Sequence, residues 1–269
     1  MDTVVGLSTV AEWLGVDGGS ASTDDVRVVD VRDAWEYDGI GHLPGAVNVP
    51  FDSFRSATGG DDGMLPGADA FAELVESVGI SSDDRLVAYD DMHGVFAARF
   101  LVTCELYGHD PDRLHLLNGD YSAWNQSYPV DQDTPSVSEG TYDATVLEAG
   151  PLVGVKAVEQ AMDDPSTVLV DTREKDEYAA GHIPGAVRLN WMELVDETDR
   201  GVKSDATLRS ILESVGITSD RSIVLYCNTA RRLSHTYTVL RHLGYPALSF
   251  YEGSLTEWRD RDLPLTADD

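Results

Sequence analysis

The chain repeats one set of short motifs in the same order, and this repeat limits the possible folds more than any other feature. An Asp-x-Arg sequence that ends an apolar run occurs at Asp30–Arg32 and again at Asp171–Arg173. A Gly-His-x-Pro-Gly-Ala-Val sequence follows in each half, at residues 41–47 and 181–187. The repeat distance is about half of the chain, which is too long for a solenoid. We therefore expect two copies of one domain.

The stretch between the two copies has its own composition. Residues 129–150 are rich in Pro, Ser, Thr, Asp and Glu and show weak hydrophobic periodicity, which is typical of a connecting segment. The sequence therefore predicts domains at residues 1–130 and 151–269, joined by a linker at residues 131–150.

Short apolar runs alternate with helix-like stretches inside each copy. In the first copy, strands are predicted at Val26–Val31, Val47–Val49, Leu86–Tyr89 and Leu114–Leu117, the last of which closes the sheet. Helices are predicted at Ala34–Tyr37, Phe71–Val78 and Phe96–Tyr107. Strands that alternate with helices form mostly parallel sheets with helices on both faces. The predicted class is α/β, with two doubly wound domains.

The charge of the chain narrows the possible partners. It has 19 basic and 48 acidic residues, so its formal net charge is −29. Nucleic-acid binding is disfavoured, because it requires a basic surface. The acidic residues are spread along the whole chain, as in proteins of salt-loving cells, where molar salt shortens the Debye length to about 3 Å and screens their repulsion. We expect a halophilic protein.

Cysteine usage and hydropathy indicate the compartment. Cys104 and Cys227 are too few for a disulfide framework and have no zinc-ligand spacing, so we expect no metal and a reducing cytoplasm. The sequence has no run of about 18 apolar residues and no basic-then-apolar start, so neither a membrane span nor a signal peptide is predicted. Cys104 lies among apolar residues of a predicted helix and is expected in the core.

Cys227 lies where a strand is expected to give way to a helix. The apolar run Ile223–Tyr226 predicts a buried strand, and Thr236–Leu243 predicts the helix. Backbone N–H groups of such a loop and the helix N-terminus favour an anion, and Arg231 and Arg232 add positive charge. These effects favour thiolate over thiol, so a reactive cysteine is a better interpretation than a small buried hydrophobe.

The ordered set of motifs resembles the tandem-domain rhodanese family of thiosulfate sulfurtransferases. The Asp-x-Arg strand end, the Gly-His-x-Pro-Gly-Ala turn and the cysteine loop follow the family's order over nearly all of both halves. The resemblance implies rhodanese-like folds and a catalytic cysteine in the second copy only, here Cys227. Asp90 takes the cysteine's place in the first copy, which is therefore expected to be catalytically silent, because a carboxylate cannot carry sulfane sulfur.

The resemblance also implies a reaction and a set of partners. Cys227 would take sulfur from thiosulfate as a persulfide and release sulfite, and a thiophilic acceptor, cyanide or a thiol, would then remove it. The acceptor thiol could belong to a protein. No metal or organic cofactor is implied. 3-Mercaptopyruvate is the alternative donor, and a non-catalytic module that binds a partner is the alternative of another class.

Several residues around the loop are expected to bind the substrate. The predicted set is Asn228, Thr229, Ala230, Arg231, Arg232 and Arg173. In the family an arginine at the Arg173 position contacts the anionic substrate, but an ion pair with Asp171 is an equally good interpretation. Arg232 is expected to line the loop mouth, since a guanidinium matches a sulfonate-like anion. Arg231 could as easily face solvent.

Other features of the loop bear on its chemistry. Residues 228–230 include no glycine, whereas many family members have one in this loop, so the sequence does not determine the path of the backbone here. Four residues separate Cys227 from Arg232, one fewer than in the related Cys-x5-Arg phosphatases, so the ring suits sulfur better than phosphate. His42 and His182 occupy identical turns in both copies, which favours a structural hydrogen bond. His235 is expected in the first turn of the helix.

Overall fold

The computed structural model describes residues 2–17, 26–57 and 63–268, and these form two compact units. Among the described residues, the first unit takes in 2–57, 65–150 and 196–202, and the second takes in 63–64, 151–195 and 203–268. Each unit holds one copy of the repeat.

The first unit is built on a five-stranded parallel sheet in the order β1-β5-β4-β2-β3. Its strands are β1 Val4–Gly6, β2 Val26–Asp30, β3 Val47–Asn48, β4 Arg85–Tyr89 and β5 Leu114–Asn118. Its helices are α1 Leu7–Leu14, α2 Ala34–Ile40, α3 Ala68–Ser77, α4 Val95–Leu106 and α5 Tyr121–Asn125. Two 3-10 turns lie at Phe51–Phe54 and Pro111–Arg113.

Both faces of this sheet are buried. Successive residues of a strand point to opposite sides, so neighbouring residues of β2 show what covers each face. Val29 of β2 packs in one core cluster with Phe71 of α3 and Phe100 of α4. Its neighbour Val28 packs in another cluster with Trp124 of α5. The near-continuous apolar runs that predicted the strands are therefore those of a sheet covered on both sides.

The second unit repeats the architecture with the order β6-β12-β11-β7-β8, again all parallel. In chain order the strands after β5 are β6 Leu152–Val153, β7 Thr167–Asp171, β8 Val187–Arg188, β9 Val195–Asp196, β10 Gly201–Val202, β11 Ser222–Tyr226 and β12 Leu248–Tyr251, of which β10 belongs to the first unit. The helices are α6 Val155–Met162, α7 Lys175–Ala180, α8 Asp205–Ser214, α9 Arg231–His242 and α10 Ser254–Asp260, and a 3-10 turn lies at Trp191–Leu194. Strands β9 and β10 form a separate two-stranded sheet.

The predicted α/β class with two doubly wound domains is confirmed, and the differences lie in element boundaries and in elements that the sequence left unassigned. β1 was not predicted and forms the sheet edge, so β5, which was expected to close the sheet, lies inside it. α9 begins at Arg231, whereas the sequence placed its start at Thr236. Cations oppose the helix dipole at an N-terminus, so the pair at residues 231–232 favoured a loop, although the structure places both in the first turn of α9. None of the described helices is both long and apolar enough to cross a membrane.

The stretch at 131–150, predicted as a linker, packs as part of the first unit. Tyr142 is buried in the core, where its ring meets that of Phe71 edge-on with centroids 5.7 Å apart. The backbone N–H of Gly140 donates to the carbonyl of Glu76 over 2.9 Å. The weak hydrophobic periodicity of residues 131–150 therefore reflects a strap, here a segment without helix that covers part of the first unit.

This packing predicts unequal costs for one substitution in the two copies. Gly79 and Gly216 hold the same place and have φ of 79° and 77°, a conformation that is strained for L-residues by about 1–2 kcal/mol. A Cβ on Gly79 would also lie 2.7 Å from the Ser138 carbonyl oxygen, whereas one on Gly216 meets only the Arg221 side chain at 3.9 Å. We expect Gly79→Ala to destabilise the protein more than Gly216→Ala by at least about 1 kcal/mol.

Urea denaturation of the two variants beside the wild type tests this difference. Equal losses would mean that residues 137–138 move away from Gly79 without cost, and that the strap is only loosely held.

Candidate active site

Cys227 lies at the carboxyl end of the central strand of its sheet. β11 ends at Tyr226, and its neighbours are β7 and β12. The chain leaves β7 toward β8 and leaves β11 toward β12, in opposite directions, so the order reverses between β7 and β11. Ligand sites of open α/β sheets occur at such a reversal, outside the carboxyl ends of the strands. Cys227 is only 1% exposed.

The loop after Cys227 is fixed by the start of α10. The Cys227 N–H donates to Ser254 Oγ over 3.2 Å, and the Cys227 carbonyl accepts the Leu255 N–H over 3.0 Å. Thr256 Oγ1 donates to the Asn228 carbonyl over 2.9 Å. Sequence reasoning missed these three anchors, although the repeat supplies a signal, since Gly253-Ser254-Leu255-Thr256 matches residues 119–122 of the first copy.

Ala230 takes the place that a glycine would suit. Its φ of 61° and ψ of −3° are left-handed, and it is the residue immediately before α9. This conformation turns the chain from the loop into the first turn of α9. The absence of glycine from the loop therefore leaves the turn in place and strains it.

Glu177 joins the two ends of the loop. Its Oε1 accepts hydrogen bonds from Asn228 Nδ2 at 2.8 Å and from Arg232 Nη2 at 2.9 Å, and its Oε2 accepts one from Arg232 Nη1. The hydrogen bonds from Arg232 hold the pKa of Glu177 at about 2, so the pair is intact above the usual value of 4.5 and is lost only as the pH falls toward 2. Glu177 was not among the predicted residues.

Arg173 is buried in the structure. Its guanidinium forms a two-point ion pair with Asp171, with Nε–Oδ1 at 2.9 Å and Nη2–Oδ2 at 2.6 Å, and donates to the Gly181 carbonyl at 2.8 Å. Arg32 makes the same contacts with Asp30 and Gly41 in the first unit. Of its two interpretations, this placement favours the structural one.

The remaining predicted residues lie at different depths. Asn228 and Thr229 are half-buried, Arg232 is half-buried, and Arg231 is exposed on the first turn of α9. His182 stacks on Tyr178 with ring centroids 3.7 Å apart, as His42 stacks on Tyr37 at 4.0 Å. Each histidine Nδ1 is also 3.0 Å from a backbone carbonyl oxygen, which supports the structural role expected of both.

Two further predicted residues are buried. His235 lies in the second turn of α9 and meets the Trp191 ring edge-on at 5.2 Å. Cys104 is fully buried in the core of the first unit, as expected, and burial raises its thiol pKa.

The loop of the first unit holds a carboxylate where the second holds the thiol. Asp90 Oδ1 accepts N–H bonds from Met92 and Gly94 at 2.7 and 2.8 Å, and Oδ2 accepts those of Phe96 and Ala97 at 2.7 and 3.0 Å. Burial raises the pKa of Asp90, while the four N–H donors oppose that shift. This loop, one residue longer than the cysteine loop, thus surrounds its own side chain with donors suited to an anion.

The comparison with known families covers most of both units. The family described as Rhodanese-like domain matches residues 19–127 and 154–261. The sulfur carrier protein TtuD of Thermus thermophilus is 34% identical over 87% of this chain and 87% of its own length. A thiosulfate sulfurtransferase of Pseudomonas aeruginosa is 31% identical over 90% of this chain and 91% of its own.

A solved structure shares the fold. SseA from Escherichia coli, described as a 3-mercaptopyruvate sulfotransferase, superposes with a TM-score of 0.82 and 24% identity over 94% of this chain and 99% of its own.

The strain at Ala230 predicts a stabilising substitution at the site. Ala230→Gly should raise the free energy of unfolding by about 0.5–1 kcal/mol, because glycine adopts a left-handed conformation without the Cβ penalty. The matched change is Gly94→Ala at the corresponding position before α4, where φ is 83° and a Cβ would meet Leu116 at 3.1 Å, and it should destabilise. Chemical denaturation measures both, and a loss of stability in Ala230→Gly would contradict the left-handed turn.

Proposed function

The chain belongs to the rhodanese family of sulfurtransferases, and from that premise we propose that it transfers sulfane sulfur from thiosulfate through Cys227. The observation that carries the proposal is the position of this thiol at a loop whose counterpart surrounds the Asp90 carboxylate with four N–H donors. A loop with that geometry stabilises negative charge, both on the thiolate and on a bound donor.

The reaction divides into two half-reactions. The Cys227 thiolate attacks the outer sulfur of thiosulfate, an S–S bond forms, and the bond to the sulfonate sulfur breaks with its electron pair leaving on sulfite. The enzyme then carries a persulfide. A thiophilic acceptor attacks the terminal sulfur, takes it away, as thiocyanate when the acceptor is cyanide, and returns the thiolate.

The protein groups have distinct proposed roles in this scheme. Cys227 is the nucleophile. The N–H groups of Asn228, Thr229 and Ala230 and of the first turn of α9 stabilise the persulfide. Arg231 supplies positive charge at the mouth, and Arg232 supplies hydrogen-bond donors there while Glu177 compensates its charge. Arg173 acts through Asp171 on the strand end, and substrate contact is the weaker of its two proposed roles.

The acceptor and the setting are part of the same proposal. The relative from Thermus thermophilus is named a sulfur carrier protein, so a protein thiol is a fitting acceptor here beside cyanide and small thiols. The two free cysteines fit a reducing cytoplasm, and the charge of −29 fits molar salt.

3-Mercaptopyruvate is the second candidate donor. The pairing of Arg232 with Glu177 and of Arg173 with Asp171 favours it, because neither guanidinium offers an uncompensated charge to a dianion. Steady-state kinetics with thiosulfate and mercaptopyruvate in parallel, in molar salt with cyanide as acceptor, decide between the donors. Activity with neither would leave the non-catalytic module as the better interpretation.

Separate substitutions of the two cysteines distinguish the proposed nucleophile, Cys227, from the core residue Cys104. Cys227→Ser should lower sulfur transfer by at least about a thousandfold while the fold is kept, since removal of a nucleophile costs that much or more. Cys104→Ser, the matched control, should retain turnover and lose stability, because it buries a hydroxyl in an apolar core. Mass spectrometry after thiosulfate treatment should find one added sulfur on Cys227 alone. Near-normal activity of Cys227→Ser would refute the proposal.

A further inference from the structure

One carboxylate restrains the whole cysteine loop. Glu177 is the third residue of α7, the helix that follows β7. Its partners are Asn228, directly after Cys227, and Arg232, the second residue of α9. The side chains of Arg232 and Glu177 are 12% and 34% exposed, so their pair lies partly away from solvent. Because Glu177 contacts both Asn228 and Arg232, it fixes the distance between the two ends of the loop.

The same contact cancels charge at the mouth. Arg232 contributes one positive charge and Glu177 removes it, just as Asp171 cancels Arg173. Glu177 stays ionised above about pH 4.5, so this cancellation is constant across the neutral range. Of the two positive charges that the sequence assigns to the loop, that of Arg232 is therefore compensated in the folded unit.

The first copy shows which part of this arrangement belongs to the fold. Glu36 is the equivalent glutamate, and its Oε2 accepts the N–H of Asp33 at 3.2 Å, as Glu177 Oε2 accepts that of Glu174 at 3.3 Å. Both are capping contacts of a helix start. Phe96, the second residue of α4, stands where Arg232 stands in α9. Helix capping thus explains a glutamate in both copies, and the ion pair is particular to the unit with Cys227.

We propose that Glu177 is a positioning and selectivity residue, which holds Arg232 and Asn228 about Cys227 and sets how strongly the site distinguishes sulfur donors by their charge. With Glu177 ionised, the site attracts a dianion such as thiosulfate only slightly more than a monoanion such as mercaptopyruvate. This role rests on the proposed function, since it assumes that small anionic donors reach Cys227.

Coulomb's law gives the role a quantitative form. Removal of the Glu177 charge adds one positive charge at the mouth, and the resulting attraction scales with the charge of the reagent. For a partly exposed site the gain is about twofold in rate for a monoanion, and its square, about fourfold, for a dianion. A neutral reagent gains nothing from attraction.

The test compares reagents of different charge on the full chain carrying Cys104→Ser. Glu177→Gln keeps a hydrogen-bond acceptor and the capping contact but loses the charge. Rates of Cys227 modification are measured with iodoacetamide, iodoacetate and thiosulfate at the lowest salt concentration at which circular dichroism shows the variants folded. Each anionic rate is divided by the iodoacetamide rate, so that any change in the thiolate fraction cancels.

The expected ratios follow from the charges. Glu177→Gln should raise the iodoacetate ratio about twofold and the thiosulfate ratio about fourfold, and molar salt should reduce both gains. Glu36→Gln, the matched control in the first unit, should leave both ratios unchanged. The double variant Glu177→Gln with Arg232→Gln restores a neutral pair and should return both ratios to the wild-type values.

Three results would overturn the role of Glu177. They are an unchanged iodoacetate ratio in Glu177→Gln, an equal rise in Glu36→Gln, and a double variant that keeps the raised ratio. Should Glu177→Gln fail to fold, Arg232→Gln alone leaves a negative charge and must lower the iodoacetate ratio about twofold. If wild-type Cys227 takes no sulfur from thiosulfate, the proposed donor is wrong, while the iodoacetate ratio still decides the role of Glu177.

Discussion

The need of backbone N–H groups for an anionic partner organises both copies of this fold. The loop after the central strand and the first turn of the helix that follows it direct N–H groups to one point. In the first unit Asp90 supplies the anion from within the chain, and four short hydrogen bonds record how well a negative group fits there. In the second unit the corresponding residue is Cys227, and the proposed function assigns donors of the same kind to its thiolate or persulfide.

Contacts that occur in both copies belong to the scaffold, and contacts that occur in one indicate function. The Asp-x-Arg ion pairs and the stacked Tyr–His pairs are shared. So is the anchor of the loop, where Tyr121 N–H donates to the Asp90 carbonyl as Leu255 N–H donates to that of Cys227. The unshared features of the second unit include the thiol, the two arginines of α9 and the contacts of Glu177 with Arg232 and Asn228. A duplicated chain thus contains its own control for every residue of the candidate site.

The sequence predicts the fold and the position of the thiol because both depend on local pattern. Apolar runs, the repeat and the strand-to-helix transition place Cys227 at a strand end without knowledge of long-range contacts. The contact between Glu177 and Arg232 joins residues 55 apart in the chain and follows only from the order of β7 and β11. The left-handed turn at Ala230 also escapes prediction, because alanine gives no signal of positive φ. The packing of the strap at 131–150 also escapes prediction, because its composition is that of a linker and the burial of Tyr142 depends on a contact with Phe71, far away in the sequence.

The surface and the site use charge on different length scales. A net charge of −29 acts through solvent, and in molar salt it is screened beyond a Debye length of about 3 Å. Long-range attraction of an anionic donor is therefore lost in such a medium, and its repulsion by the acidic surface is lost with it. Charge pairs in direct contact and partly buried are screened far less, and Arg232 Nη2 lies 2.9 Å from Glu177 Oε1. Under the proposed function, recognition of a small anion in salt would therefore rest on groups in direct contact with it, for which the loop N–H groups and the arginines of α9 are the proposed candidates, with Glu177 modulating the charge of Arg232.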